Sequence, residues 1–168
     1  MELKEFKTGA VRMAAAAGVP VPPVLALRGL VLHAHPALRA EQAVLQQNRR
    51  GQSGLWGQAI SGDHPIVLVQ IADAENIELV RQMVQAHAYW RLKGLHADLV
   101  IWNESQSGYR QQLQEQILGM ISTDAEANVL ERPGGIFVRP VQNISQEDRI
   151  LLQAVARVID GTEEEVPG

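Results

Sequence analysis

The sequence predicts an α/β fold with a small three-stranded parallel sheet, flanked by helices and preceded by a helical and loop-rich N-terminal third. Two observations predict it. Three short runs rich in β-branched residues alternate with three amphipathic segments over residues 65–161. Each connection between successive runs is also long enough for the helical crossover that parallel strands require. Such crossovers are right-handed in nearly all proteins, so we expect a β-α-β-α-β-α domain.

The first strand–helix unit begins with a nearly continuous apolar run over residues 65–71. Because the run lacks polar alternation, it is typical of a parallel strand that is buried on both faces. Asp73 follows at the position of a helix N-cap, and Gly94 stands where a helix would end. We therefore predict a helix over residues 74–93.

The second unit has the same order of signals. Residues 97–102 form an apolar run that we predict to be the second strand. Ser107 is placed to cap the following helix, which carries Tyr109 and Leu113 on its apolar face.

The third unit follows a turn rich in glycine and proline. Its strand is predicted over residues 135–139, and Ser145 opens the last helix. The apolar spacing of this helix continues to Val158, and Gly161 is placed to close it.

Composition changes near residue 62 and divides the chain into four segments. Residues 1–35 form an N-terminal helical and apolar segment, residues 36–64 a helix and a glycine-rich ordered loop, residues 65–161 the α/β domain, and residues 162–168 an acidic flexible tail. The loop carries two large apolar residues, which indicates that it packs against another part of the protein. Its structural residues are predicted to be Gly51, Gly54, Gly57, Ser61, Gly62 and Asp63.

The composition excludes several classes of protein. Apolar residues make up 46% of the 168 residues and charged residues 20%, which is typical of a globular chain. The net charge is −4 and the basic residues are scattered, so nucleic acid is not an expected partner. There is no cysteine, and no apolar run approaches the roughly 20 residues that span a bilayer. We expect a soluble, cytoplasmic chain without direct membrane insertion.

The sequence contains no clear motif for cofactor binding or catalysis. The turn after the first strand, residues 72–75, holds two carboxylates and no glycine, so it opposes phosphate binding at a helix N-terminus. We therefore predict no nucleotide or other cofactor. Ser61, Asp63 and His64 are sequence neighbours, an arrangement that rarely converges into a catalytic triad, and no catalytic residue is assigned.

The five histidines do not suggest a metal site. His33 and His35 could share one side of a strand, but no carboxylate adjoins them in the sequence. His64, His87 and His96 are expected at the surface or at helix ends. No metal is predicted.

Three residues are candidates for substrate binding. Trp56 lies in the glycine-rich loop and could stack on a sugar ring or pack against a neighbouring domain. Asn103 and Glu104 leave the second strand at its carboxyl end, where open parallel sheets bind ligands. The alternative for this pair is that the side chains cap backbone groups of the following turn.

Long collinear blocks resemble cyclic β-1,2-glucan synthases. They cover roughly residues 36–160 and include Gly51-Gln52-Ser53-Gly54-Leu55-Trp56-Gly57, Asp98-Leu99-Val100-Ile101-Trp102-Asn103-Glu104 and Arg132-Pro133-Gly134-Gly135-Ile136-Phe137-Val138-Arg139-Pro140. The resemblance implies an internal α/β segment beside the glycoside-phosphorylase-like β-sandwich domains of a large inner-membrane protein. Residues 1–30 and the tail after Gly161 depart from the family pattern.

The function implied by this resemblance is a non-catalytic α/β module that positions neighbouring domains of the synthase and is not an enzyme by itself. Its expected partners are those domains, with self-association and β-glucan binding as further possibilities. A carbohydrate-binding surface is the alternative function, and a small-molecule enzyme at the carboxyl ends of the strands is a third.

Overall fold

Four parallel strands form one sheet in a computed structural model that describes residues 39–106, 108–123 and 127–161. Their order across the sheet is β3-β2-β1-β4. The strands are β1 (Ile66–Ile71), β2 (Asp98–Asn103), β3 (Ile136–Pro140) and β4 (Val158–Gly161). The predictions for residues 1–35, for the Ser107 cap and for the acidic tail lie outside the described residues.

Four α-helices accompany the strands in the part of the chain that the structure describes. They are α1 (Gln42–Gln47), α2 (Ile77–Leu92), α3 (Arg110–Thr123) and α4 (Gln146–Val155). Short 3₁₀ segments occupy Gln52–Gln58, Ala74–Asn76, Ala127–Val129 and Val141–Asn143. The predicted α/β class with a parallel sheet is confirmed. None of the helices among the described residues has both the length and the apolar character needed to cross a membrane.

The prediction of three strands was wrong by one. Helix α4 ends at Val155 instead of continuing to Gly161, and Ala156 turns to extended backbone with φ −60° and ψ 128°. The N–H of Arg157 then donates to the carbonyl of Ile66 over 2.9 Å, and Val158 pairs with Val67. Val158 has the spacing of an inward helical residue, so local periodicity did not reveal a four-residue strand that is defined by pairing with β1.

Both faces of the sheet are covered. Helices α2 and α3 pack on one face against a core that includes Val67, Val69, Leu99, Ile101 and Trp90. Helix α4 and the 3₁₀ segment Gln52–Gln58 pack on the other face, in a core that includes Leu68, Val100, Trp102, Phe137, Leu55 and Leu151. Successive residues of a strand point to opposite faces, so this two-sided burial explains the unbroken apolar runs.

The predicted boundaries of α2 and the predicted start of α4 are present. The Asp73 side chain accepts the N–H of Glu75 over 3.0 Å, although one 3₁₀ turn precedes α2. Ser145 Oγ accepts the N–H of Asp148 over 3.2 Å at the start of α4. Gly94 follows α2 with a φ of +79°, which favours glycine.

The loop over residues 49–64 is held to α4. The Arg50 guanidinium donates to Glu147, and its Nη1 lies 2.8 Å from Asp148 Oδ1. Gly54 is packed so closely that a Cβ there would lie 2.7 Å from Leu151 Cδ2. Leu55 is buried beside it, so the loop supplies part of the core on this face.

Candidate functional site

A cleft of about 680 Å³ opens at the carboxyl ends of β1 and β2. The turn after β1 and the turn after β2 form its walls, and the first turns of α3 close one side. The lining residues are Ala72, Asp73, Ala74, Asn76, Glu104, Ser105, Gln106, Tyr109, Gln112 and Leu113. In open parallel sheets, ligands bind outside this end of the strands.

The cleft lies beside the point where the strand order reverses. β2 flanks β1 on one side and β4 flanks it on the other, so the reversal falls between β1 and β4. The walls of the cleft come from the turns after β1 and β2, so the cleft lies next to this reversal and not at it. These two turns are joined by the N–H of Glu104, which donates to the carbonyl of Ile71 over 2.8 Å.

Asn103 organises the wall that follows β2. Its side chain is fully buried, and its Oδ1 accepts the N–H of Ser105 over 3.0 Å. Its Nδ2 donates to the carbonyl of Arg110 over 2.9 Å and to Gln114 Oε1 over 3.2 Å. The side chain thus joins the end of β2 to the first turn of α3.

The three candidate binding residues are not brought together. Glu104 lines the cleft, whereas Asn103 is buried behind the wall and is not a lining residue. Trp56 lies on the 3₁₀ segment that packs against the opposite face of the sheet from α3. Trp56 is 64% exposed, and its Nε1–H donates to the carbonyl of Ser61 over 3.2 Å.

Sequence reasoning missed five polar residues of the cleft, Asn76, Ser105, Gln106, Tyr109 and Gln112. We predicted Tyr109 on the apolar face of a helix, but α3 begins at Arg110 and the Tyr109 side chain is 72% exposed. Its position one residue before the helix, after the glycine at 108, was the available signal. Ring exposure at such a boundary depends on the path of the turn.

The cleft is acidic and polar. Asp73 and Glu104 contribute carboxylates, and no lysine, arginine or histidine is among the described residues that line it. Glu75 and Glu78 add negative charge near the start of α2. Since carboxylates occupy the end of the helix that would attract an anion, phosphate groups are disfavoured here.

The glycine-rich loop lines a second, smaller cleft of about 270 Å³ near the amino end of β1. Gly51, Gly62 and Asp63 are among its lining residues. Gln52 Nε2 donates to Asp63 Oδ1 over 3.0 Å and to the carbonyl of Ser61 over 2.9 Å, which ties the two ends of the loop together. A Cβ at Gly51 or at Gly57 would meet nothing within 4 Å.

A buried polar cluster joins β2 to the turn before β3. Asp98 is fully buried, and its Oδ1 accepts the N–H of Gly134 over 2.7 Å. Burial raises the pKa of the Asp98 carboxyl above its ordinary value, and the hydrogen bond from Gly134 partly opposes this rise. The expectation that His87 lies at the surface or at a helix end was wrong, because it is fully buried in the middle of α2.

The histidines at the amino ends of the strands lie close to this cluster. The rings of His64 and His96 have centroids 6.2 Å apart. In the part of the chain that the structure describes, no three histidine, aspartate or glutamate side chains are arranged to hold a metal ion.

Comparison with known proteins gives a match. A segment of 83 residues is 40% identical to the cyclic beta-(1,2)-glucan synthase NdvB of Rhizobium meliloti (strain 1021). The matched segment is 49% of this chain and 3% of the length of NdvB, so the chain corresponds to a small part of that protein. No family model matches the sequence. The resemblance to cyclic β-1,2-glucan synthases that the sequence predicts is confirmed, and the chain is related to a cyclic β-1,2-glucan synthase.

Proposed function

We propose that the chain is a non-catalytic α/β module related to cyclic β-1,2-glucan synthases and that it positions the domains that adjoin it. The observation that carries this proposal is the match of 83 residues, which is half of the chain but only 3% of NdvB. A segment of 83 residues has the size of one module within a very long protein. The activity in the name of NdvB therefore belongs to a protein of which this segment is a small part.

The use of polar side chains supports a structural role. The Asn103 side chain joins β2 to α3, and the Asp98 side chain holds the turn before β3. Arg139 Nη2 donates to the carbonyl of Gln58 over 2.7 Å and to Glu131 Oε2 over 2.6 Å. These buried and half-buried groups hold loops in place, as a module that orients its neighbours requires.

A direct assay tests the absence of catalysis by the chain alone. The purified chain is incubated with UDP-glucose and a glucan acceptor, and separately with glucan and inorganic phosphate. We expect no glucosyl transfer and no phosphorolysis. Turnover that Glu104→Gln or Asp73→Asn abolishes would overturn the proposal.

A graft tests the positioning role. In NdvB, the segment that corresponds to residues 39–161 of this chain is deleted, and residues 39–161 of this chain are inserted in its place. We expect the deletion to lose cyclic glucan and the graft to restore it, whereas a graft carrying Val69→Asp, which places a charge in the core, should fail. Normal glucan production by the deletion itself would show that the segment positions nothing.

A further inference from the structure

We propose that Trp56 is the side chain by which the module docks on the part of a synthase polypeptide that precedes it. The inference rests on the proposed positioning role and names the surface that would perform it. Trp56 is 64% exposed, although its neighbour Leu55 is buried in the core. Tryptophan is over-represented among the residues that carry most of the binding energy of protein interfaces, so this exposed ring is a candidate contact.

The Trp56 side chain is oriented before any partner arrives. Its Nε1–H donates to the carbonyl of Ser61 over 3.2 Å, and Gln52 Nε2 donates to the same carbonyl over 2.9 Å. Leu55 holds the segment to the core on its inner side. Since the ring is already fixed, little side-chain freedom is lost on binding, which favours docking.

The backbone just after Trp56 is strained. Ala59 follows the 3₁₀ segment with φ 61° and ψ 24°, a left-handed conformation that is unfavourable for a residue with a side chain. Its N–H donates to the carbonyl of Trp56 over 3.0 Å. Strained backbone of this kind is concentrated at sites of function, so it singles out the same loop independently of the exposed ring.

The loop that carries Trp56 has little side-chain bulk on its outer surface. Gly57 follows Trp56 directly, and Gly51 begins the 3₁₀ segment as its N-cap residue. Both glycines are exposed, and a Cβ at either would meet nothing within 4 Å. Neither glycine is needed for packing within the module, and both allow a partner to approach the backbone of the loop closely.

The path of the chain identifies which neighbour docks here. The described part begins at Arg39, whose Nη2 donates to the carbonyl of Ala154 over 2.7 Å. Ala154 lies at the end of α4, shortly before β4 begins, and Ser61 shortly precedes β1. The amino ends of parallel strands lie at one edge of a sheet, so Arg39 and the Trp56 loop share that edge, whereas Gly161 ends β4 at the opposite one.

The preceding polypeptide therefore enters the module on the side of Trp56. The matched segment is 3% of NdvB, so most of that polypeptide lies outside the module and is covalently joined to it. Covalent attachment gives a neighbouring domain a high effective concentration at the loop. A small contact centred on one aromatic ring is then sufficient for docking.

Hydrogen exchange in the NdvB graft tests the inference. Amide exchange over residues 52–62 is measured by mass spectrometry in the purified graft and in the full chain on its own. We expect exchange over this range to be slower in the graft by about tenfold or more, the effect of one strong contact residue, and unchanged in α3. Trp56→Ala should abolish the slowing when each graft is compared with the full chain that carries the same substitution.

Tyr109→Ala is the matched control, because Tyr109 is a 72% exposed aromatic residue at the carboxyl ends of the strands. It should leave the slowing over residues 52–62 intact. Equal exchange in the graft and the full chain, or equal loss in both variants, would overturn the inference. So would dimerisation of the full chain that Trp56→Ala abolishes, or a shift of the Trp56 Nε1–H signal on addition of glucan, because the occupant would then be a second copy or a sugar.

The inference and the proposed function fail separately. Exchange is measured whether or not the graft produces cyclic glucan. A graft that is active without slower exchange over residues 52–62 would overturn only docking through Trp56. A graft that shows the slower exchange but produces no cyclic glucan would leave docking in place and count against the positioning role.

Discussion

Asp98 and His87 hold the turn before β3 from two different elements. Asp98, the first residue of β2, accepts the N–H of Gly134 over 2.7 Å. His87 Nε2 lies 3.0 Å from the carbonyl oxygen of the same glycine and 2.9 Å from that of Ala97. Since both of these oxygens are acceptors, Nε2 carries the proton. The turn is therefore held through both backbone polar groups of Gly134, its N–H and its carbonyl.

Replacement of Asp98 by asparagine should change how stability depends on pH. Burial raises the pKa of the Asp98 carboxyl, so the folded chain binds this proton more tightly than the unfolded chain does. The stability that results is fully present below the unfolded pKa of about 3.9, and it is lost as the pH rises through the folded pKa. Relative to the wild type, Asp98→Asn should therefore gain stability as the pH rises from about 3.9 through the raised, folded-state pKa of Asp98.

Urea unfolding at a series of pH values measures this difference. Asparagine retains the acceptor for Gly134 and cannot ionise, so any constant cost of the substitution does not affect the slope. His64→Gln is a second variant, because the charge of His64 lowers the pKa of Asp98 and its removal should steepen the dependence. A difference between Asp98→Asn and the wild type that stays flat or falls with rising pH would contradict the assignment.

Loss of the Asn103 side chain should destabilise the fold strongly. Asn103→Ala leaves the buried N–H of Ser105 without its acceptor and removes the side-chain donor to the Arg110 carbonyl and to Gln114. We expect a loss of about 2–3 kcal/mol in the free energy of unfolding, from the desolvation penalty of groups left unpaired.

Asn103→Asp is the informative comparison. It keeps the acceptor for Ser105 but places a carboxylate against the Arg110 carbonyl, so it should be at least as destabilising as Asn103→Ala at neutral pH. Chemical denaturation of both variants decides the matter. A loss below about 0.5 kcal/mol for Asn103→Ala, the size of an ordinary surface substitution, would contradict this role.

Two glycines should respond to alanine in opposite directions. A Cβ at Gly135 would lie 1.9 Å from the carbonyl oxygen of Val129, a backbone atom that cannot move aside cheaply. Gly135→Ala should therefore cost about 3 kcal/mol or more. Gly119 lies inside α3 with nothing within 4 Å of such a Cβ, so Gly119→Ala should gain up to about 1 kcal/mol from helix propensity. Thermal unfolding of the pair checks both signs, and equal effects would contradict the packing at Gly135.

The fold class was predictable because three of the strands have an apolar pattern that is visible in the local sequence. β1, β2 and β3 each contain a run of three or four consecutive apolar residues, and the caps at Asp73 and Ser145 carry their own sequence signals. β4 has four residues, and only its pairing with β1 distinguishes Val158 from a residue on the apolar face of a helix. Such pairing joins residues about 90 positions apart, which no local pattern records.

The candidate site was predictable in place but not in composition. The rule that ligands bind at the carboxyl ends of strands located the cleft and one of its residues, Glu104. The rule does not say which side chains point into the cleft. Asn103 turned inward because the start of α3 offered it partners, whereas Tyr109 turned outward at a helix boundary. Trp56 lies on a layer that the sequence could not place relative to the sheet.

Amide hydrogen exchange should distinguish β4 from the end of a helix. In a strand at the edge of a sheet, the N–H groups point alternately toward the neighbouring strand and away from it. The N–H of Arg157 donates to Ile66 in β1, so that of Ile159 should face β1 as well, whereas those of Val158 and Asp160 face outward. We expect slow exchange at Arg157 and Ile159 and faster exchange at Val158 and Asp160. A continuing helix would instead protect all four amides to a similar degree, and such a result would contradict the strand.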